Sequence, residues 1–147
     1  MTKRRFGTIF GTSKGMRFHT AVNKFCWQAS IGQPISIWKT AMNQKRPYLG
    51  VNDAVRAIKF LTREKIFNQE LFNIVSSNNT VNEIVNIIRK SIPNLNIQLE
   101  NTKIMNQLSY EVASEKIKKY GFCFKDKIEI GILDTLNTIK IRSLNSE

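Results

Sequence analysis

A chain of 147 residues with 41% hydrophobic and 23% charged side chains has the size and usage of one packed domain, which excludes disorder as the default state. No apolar run approaches the roughly 20 residues of a membrane span, and Lys3, Arg4 and Arg5 lead into Gly7, Thr8, Gly11, Thr12 and Ser13 and not into the apolar stretch of a signal peptide, so a cytoplasmic location without a membrane partner is expected. The formal net charge of +12 raises a polyanion as partner, but the basic residues are spread through every segment and do not form a stripe interleaved with aromatics, so a non-enzymatic basic nucleic-acid-binding module stands only as the alternative function.

The two cysteines, Cys26 and Cys123, lie far apart and outside any C-x-x-C spacing, and are expected to be buried free thiols. His19 is the only histidine, and no cluster of Cys, His and carboxylates accompanies it, so no metal is expected.

In chain order, Arg5 to Phe10 alternates large apolar with small or polar residues and reads as one strand, ending in the loop Gly11-Thr12-Ser13-Lys14-Gly15. Gly7, Gly11 and Gly15 have the spacing G-x-x-x-G-x-x-x-G, which is neither a dinucleotide fingerprint nor a P-loop, and read as turn glycines. Ala21, Val22, Phe25, Cys26 and Ala29 recur at helical spacing between Thr20 and Ile31, with Gly32 as the stop. Phe18 and His19 sit where the loop meets this helix and could line a pocket. Pro34 to Trp38 is a short strand, and Lys39 to Gln44 a polar loop leading to Arg46.

The stretch Lys45 to Ala57 compresses a basic residue, a rigid Pro47-Tyr48 pair, a short apolar run and a capped helix start into a few positions. Asn52 is the expected N-cap, with Asp53 adding negative charge at the positive end of the helix dipole. Val51 and Val55 suit a staple; Ala54, Ala57, Ile58 and Leu61 define the expected buried stripe, and Arg56, Lys59 and Arg63 the wet face. A loop arginine held at the entrance of such a stretch suits an anionic ligand, although a plain surface arginine is the simpler reading of Arg46 taken alone.

Leu71 to Val75 is a strand and Ser76 to Asn79 a turn. Thr80 and Glu83 form a capping box for a helix whose buried face is Val81, Ile84, Val85 and Ile88 and which stops before Pro93. Leu95 to Leu99 is another strand. Ser114 caps a short helix ending at Gly121, and Asp126 can cap a final helix on which Ile128, Ile132, Leu136 and Ile139 share a face, the tail beyond it fraying. Such alternation of strands and helices is α/β architecture.

The order of these motifs resembles the C-terminal half of extended short-chain dehydrogenase/reductases, the NAD-dependent nucleotide-sugar epimerases and dehydratases. Arg5-Phe6-Gly7-Thr8-Ile9-Phe10-Gly11 is similar to the late Rossmann strand L-R-x-x-N-x-x-G-P, Gly32-Gln33-Pro34-Ile35-Ser36-Ile37 to G-x-P-x-x-x, and Arg46 to Ala57 to R-D-Y-x-H-V-x-D-V-A-x-A. Phe72-Asn73-Ile74 with Thr80 to Ile84 resembles the strand and helix Y-N-[IV]-…-[ST]-x-x-E-[IL], and Tyr110 to Phe122 with Gly131-Ile132 the closing D-x-S-K-x-x-x-x-L-G-[WF] element.

The resemblance implies a truncated module: a late Rossmann strand and loop over residues 1–18, a small α/β substrate-binding part over 19–142, and a frayed tail over 143–147, without the dinucleotide-binding half. It implies that Arg46 contacts the diphosphate of a nucleoside-diphosphate sugar, that Thr8 stands where many members carry a substrate-contacting Asn, that Phe18 and Val22 fall in the segment folding over the base, and that Tyr48 joins this substrate-binding set. Gly50 replaces the usual His and Thr12 the usual Pro.

The family's G-x-x-G-x-x-G loop and its Y-x-x-x-K pair do not occur; Tyr48, Tyr110 and Tyr120 are followed four residues later by Asn52, Ser114 and Phe124. Without a nicotinamide cradle and a proton-transfer pair the polypeptide alone is expected to bind no cofactor and to catalyse nothing, NAD being implied for a complete enzyme. The expected partners are a nucleoside-diphosphate sugar and either a separate N-terminal Rossmann half or further copies of the chain.

Overall fold

The computed structural model describes residues 3–66, 70–101 and 109–144, with side chains through residue 140. Among the described residues seven strands and five α-helices alternate in an α/β arrangement, as the sequence pattern predicts: β1 (Lys3–Phe6), β2 (Thr8–Phe10), α1 (Ala21–Ser30), β3 (Ile35–Trp38), β4 (Lys45–Gly50), α2 (Val51–Arg63), β5 (Leu71–Ile74), β6 (Ser77–Thr80), α3 (Val81–Ser91), β7 (Ile97–Glu100), α4 (Glu115–Lys119) and α5 (Ile128–Leu144). A single 3-10 turn, Lys39–Ala41, separates β3 from β4.

The predicted single strand from Arg5 to Phe10 is two strands. β1 pairs in parallel with β5, and β2 in parallel with β4, the break falling at Gly7. Its cause lies across the sheet. The β2–β4 ladder begins at Thr8 opposite Tyr48, so its next step back would face Pro47, which has no N–H to donate. Gly7 instead donates its N–H to the Ile74 carbonyl at 3.1 Å and passes so close to Pro47 that an added Cβ would stand 3.0 Å from the Pro47 oxygen. Residues 77–79, expected as a turn, belong to β6, which runs antiparallel to β4 with Tyr48 opposite Ser77 and Arg46 opposite Asn79. The third sheet pairs β3 with β7 in parallel.

β4 is therefore the central strand of β2-β4-β6, and it divides two cores. Tyr48 and Phe10 pack with Val22, Phe25 and Cys26 of α1, Ile84 and Ile88 of α3, and Ile132 and Leu136 of α5. Leu49, on the opposite face by the two-residue strand period, packs with Ala57 and Leu61 of α2, Phe72 and Ile74 of β5, and Phe122. Gly131 is required where α5 crosses β2, since a Cβ there would come within 2.5 Å of the Phe10 ring. Ile139 packs against the first core as expected, and α5 continues to Leu144; residues 145–147 of the expected frayed tail lie outside the described residues.

The predicted capping box of α3 is present: Thr80 Oγ1 accepts from Glu83 N at 3.1 Å while the Glu83 carboxylate accepts from Thr80 N at 2.8 Å. The cap of α2 differs. Gly50, not Asn52, is its N-cap residue, and the orphan N–H of Asp53 is taken by the distant Asp126 carboxylate at 2.9 Å. Asp126 thus caps α2 and not the helix that follows it. Asp53, expected to add negative charge at the positive end of the helix dipole, is fully buried. On the same helix Ile58 is 42% exposed, outside the expected stripe, and Arg56 is half-buried in a pair with Asp53. Ser114, expected to cap α4, turns its hydroxyl to Val75, accepting from the N–H at 3.0 Å and donating to the carbonyl at 3.1 Å.

Candidate functional site

Arg46 lies near the start of β4 and not in a loop. Pro47 explains part of this, because a residue preceding proline is driven to extended backbone. The residue is half-buried, and its guanidinium donates from Nη1 to the Lys45 carbonyl at 3.2 Å and from Nη2 to Gln44 Oε1 at 2.8 Å, and lies 5.2 Å from the centre of the Tyr110 ring. The segment carrying Tyr110 is tied to the same strand end: Tyr110 N donates to the Lys45 carbonyl at 3.3 Å, Lys45 N to Ser109 Oγ at 2.9 Å, and the Lys45 ammonium pairs with Glu111. That carboxylate, by hydrogen bond first and by charge second, holds the Lys45 ammonium above its ordinary value.

The structure brings Thr8, Tyr48 and Arg46 together on one face of β2-β4-β6. Thr8 and Tyr48 are in register and Arg46 follows two residues back along β4, so all three side chains leave the same side of the pleat. They differ in access. Thr8 is half-buried, while Tyr48 is 2% exposed inside the first core, where burial pushes its hydroxyl up to about 12. Val22 is likewise wholly enclosed in that core, on α1. Phe18 is 39% exposed and leans on Trp27 with ring centres 6.1 Å apart. Phe18 and Val22 thus sit at α1, apart from the Arg46 contacts just described.

Among the cavities beside this sheet, two bear on the predicted site residues. One of about 390 Å³ is lined by Arg5, Phe6, Gly7, Pro47, Asn73 and Tyr110, among others, and so reaches the ring over Arg46. The other, about 370 Å³, lies under the 11–20 loop and is lined by Ile9, Arg17, His19, Thr20, Asn23 and Val51, among others. His19 lines it, as the sequence suggests; Phe18 does not. Asn23, 5% exposed on α1, pins that loop by accepting from Gly11 N at 3.2 Å and donating to the Arg17 carbonyl at 3.1 Å.

At the other end of β4 the chain satisfies itself with its own anions. Asp53 accepts from Ser76 Oγ at 3.0 Å, Lys125 N at 3.0 Å and Asp126 N at 2.9 Å, and pairs with Arg56. Asp126 returns the bond to Asp53 N. A Cβ on Gly50 would stand 2.1 Å from Asp126 Oδ2, so only glycine admits this approach. Helix N-termini of this kind receive phosphates in other strand-to-helix turns, but here the place is filled by Asp126.

Sequence reasoning missed Tyr110, Asn23 and the reciprocal Asp53–Asp126 clamp as residues of consequence. Asp126 was legible as a capping residue, only for the wrong helix. Among the described residues no group of three or more His, Cys, Asp or Glu is arranged to hold a metal ion, and no helix is long and apolar enough to cross a membrane. Cys26 is buried as expected, its thiol pushed up to about 12 by burial; Cys123 is exposed, against expectation, because it follows the positive-φ turn at Gly121 on the surface.

Solved structures of known enzymes share this arrangement. UDP-glucose 4-epimerase of Thermus thermophilus, solved in complex with NAD, superposes with a TM-score of 0.79 at 17% identity, covering 95% of this chain and 46% of that one. MoeE5, solved in complex with UDP-glucose and NAD, gives a TM-score of 0.76 at 22% identity over 97% of this chain and 48% of its own. The fold is that of about half of each of these solved enzymes. The chain spans about half the length of these solved relatives. UDP-sulfoquinovose synthase, chloroplastic, of Spinacia oleracea is 26% identical over 91 residues, which is 60% of this chain and 19% of that protein. No protein-family profile matches the chain.

Proposed function

We propose that this chain is the substrate-side part of an NAD-dependent nucleotide-sugar epimerase or dehydratase, binding a nucleoside-diphosphate sugar without catalysing its conversion alone. The observation that carries the reading is the superposition of at least 95% of the chain on enzymes solved with NAD or with UDP-sugars, together with a half-buried arginine at the start of β4. A guanidinium is always charged and its fork suits phosphate oxygens, so Arg46 is the diphosphate contact. Thr8, on the same sheet face, offers a hydroxyl to the ligand. Val22 and Tyr48 act from within the core by shaping the floor beneath it, and Phe18 with Trp27 supplies an aromatic surface for the base. Uridine diphosphate is the nucleotide part that fits the named relatives.

NAD in the complete enzyme would supply the hydride acceptor and donor. Two features support placing its cradle elsewhere: after Gly11 the described chain takes a long loop before α1, and the N-terminus of α2, which follows directly on β4, is met by Asp126. The cofactor is therefore assigned to a dinucleotide-binding half outside the described residues. β1 supports a partner of that kind. Among the described residues it is hydrogen-bonded on one side only, to β5, and all four of its residues are exposed, whereas parallel strands are ordinarily covered on both sides.

The nucleic-acid reading is not favoured. Six ion pairs among the described residues set Lys45, Arg56, Arg63, Lys90, Lys116 and Lys118 against carboxylates of the chain itself, so part of the positive charge is met within the fold. The test is reconstitution. Co-expression with the dinucleotide-binding half of a homologous epimerase should yield a stable complex with NAD-dependent turnover of a UDP-sugar. A well-folded complex without turnover of any UDP-sugar would remove the enzymatic part of the proposal.

A further inference from the structure

We propose that Tyr110 is a positioning residue for Arg46, holding the guanidinium in the orientation in which it meets the diphosphate; this rests on the nucleotide-sugar reading above. Three observations converge. The guanidinium carbon is 5.2 Å from the Tyr110 ring centre, within the range of a cation–π contact. The Lys45 carbonyl accepts both from Arg46 Nη1, at 3.2 Å, and from the Tyr110 N–H, at 3.3 Å, so ring and cation are anchored on one atom. Finally, Tyr110 is 53% exposed, so the ring contributes little to either core and its placement is explained by the arginine it covers.

The physical consequence is preorganisation. A long cationic side chain loses rotamer entropy when it is fixed by a ligand, and one already fixed loses less. In the edge directions Gln44 Oε1 and the Lys45 carbonyl set the plane of the guanidinium, and Tyr110 sets its face. Phenylalanine keeps that face; alanine does not. The hydroxyl plays no part.

A double-mutant cycle on UDP-glucose binding, read by calorimetry, tests this. Tyr110→Ala should weaken binding about threefold to tenfold, the size of a partly exposed cation–π contact. Tyr110→Phe should remain within about twofold of the wild type, and the effect of Tyr110→Ala should vanish in an Arg46→Ala background. A second readout needs no ligand: the Arg46 side-chain Nε–H resonance should shift in Tyr110→Ala and stay in Tyr110→Phe. If Arg46→Ala weakens binding while Tyr110→Ala does not, or if the two losses simply add, the positioning role is overturned and the nucleotide-sugar reading stands. If Arg46→Ala binds as tightly as the wild type, or the wild type does not bind, the reading itself fails and the inference with it, whatever the resonance shows.

Discussion

At its C-terminal end β4 runs through Gly50 into α2, and there the protein meets its own positive helix terminus with Asp126 and its own buried Asp53 with Arg56, Ser76 and two backbone N–H groups. At its N-terminal end the same strand carries Arg46, half-buried between the Lys45 carbonyl, Gln44 and the exposed ring of Tyr110. One end is closed by internal anions; the other presents a held cation near the surface. On the proposed function, one strand serves both stability and binding: polar groups that are buried must find partners within the fold, while a cation held beside a cavity can meet a ligand's charge.

The comparison breaks most severely at Asp53. Asp53→Ala leaves the Arg56 guanidinium and the Lys125 and Asp126 N–H groups without their shared acceptor, and should cost about 3–5 kcal/mol, as for one partner removed from a buried pair. Urea denaturation measures it; a loss no larger than that of a surface substitution would show that the closed end is not a stability centre. Gly50→Ala drives a Cβ into the Asp126 carboxylate and should cost about 1–3 kcal/mol as the cap is pushed aside. Gly15→Ala is its control, since nothing lies within 4 Å of a Cβ there, and it should leave the melting temperature within error.

The smallest effect belongs to the open end, where Lys45 pairs with Thr80 across the β4–β6 ladder beside the α3 capping box. Glu83 is held below the ordinary carboxylate value, chiefly by the Thr80 N–H and against a smaller opposing effect of burial. A carboxyl depressed in the folded state contributes stability above its unfolded value, near 4.5, and loses that contribution as pH falls through the folded one. Glu83→Gln should therefore flatten the acid limb of stability against pH below that value and leave neutral binding unchanged. An acid limb identical to the wild type would show that the box is not coupled to folding.

How much of this was legible depended on the distance between partners. The α3 capping box was readable because Thr80 and Glu83 are three residues apart, and the buried faces of α1, α3 and α5 because helical spacing is local. The break at Gly7 was not, since its cause is Pro47 on another strand, and neither was the capping of the distant α2 by Asp126, since its target is Asp53. Motif order carried the fold, and it named Arg46 as the expected ligand contact. It assigned Tyr48 and Val22 to the same site by position alone, whereas the pleat and the helix face turn both into the core. Tyr110 escaped notice because only the return of a distant segment to β4 sets its ring over the arginine.

The most direct measurement is calorimetric titration of UDP-glucose into the wild-type chain and into Arg46→Ala, at low and at moderate salt. Loss of one charge-assisted phosphate contact corresponds to about 1.5–3 kcal/mol, or roughly tenfold to a hundredfold in affinity. The account predicts that loss in Arg46→Ala, with an unchanged urea midpoint and a weaker salt dependence. Equal affinities in the two proteins, or no binding by the wild type, would contradict it.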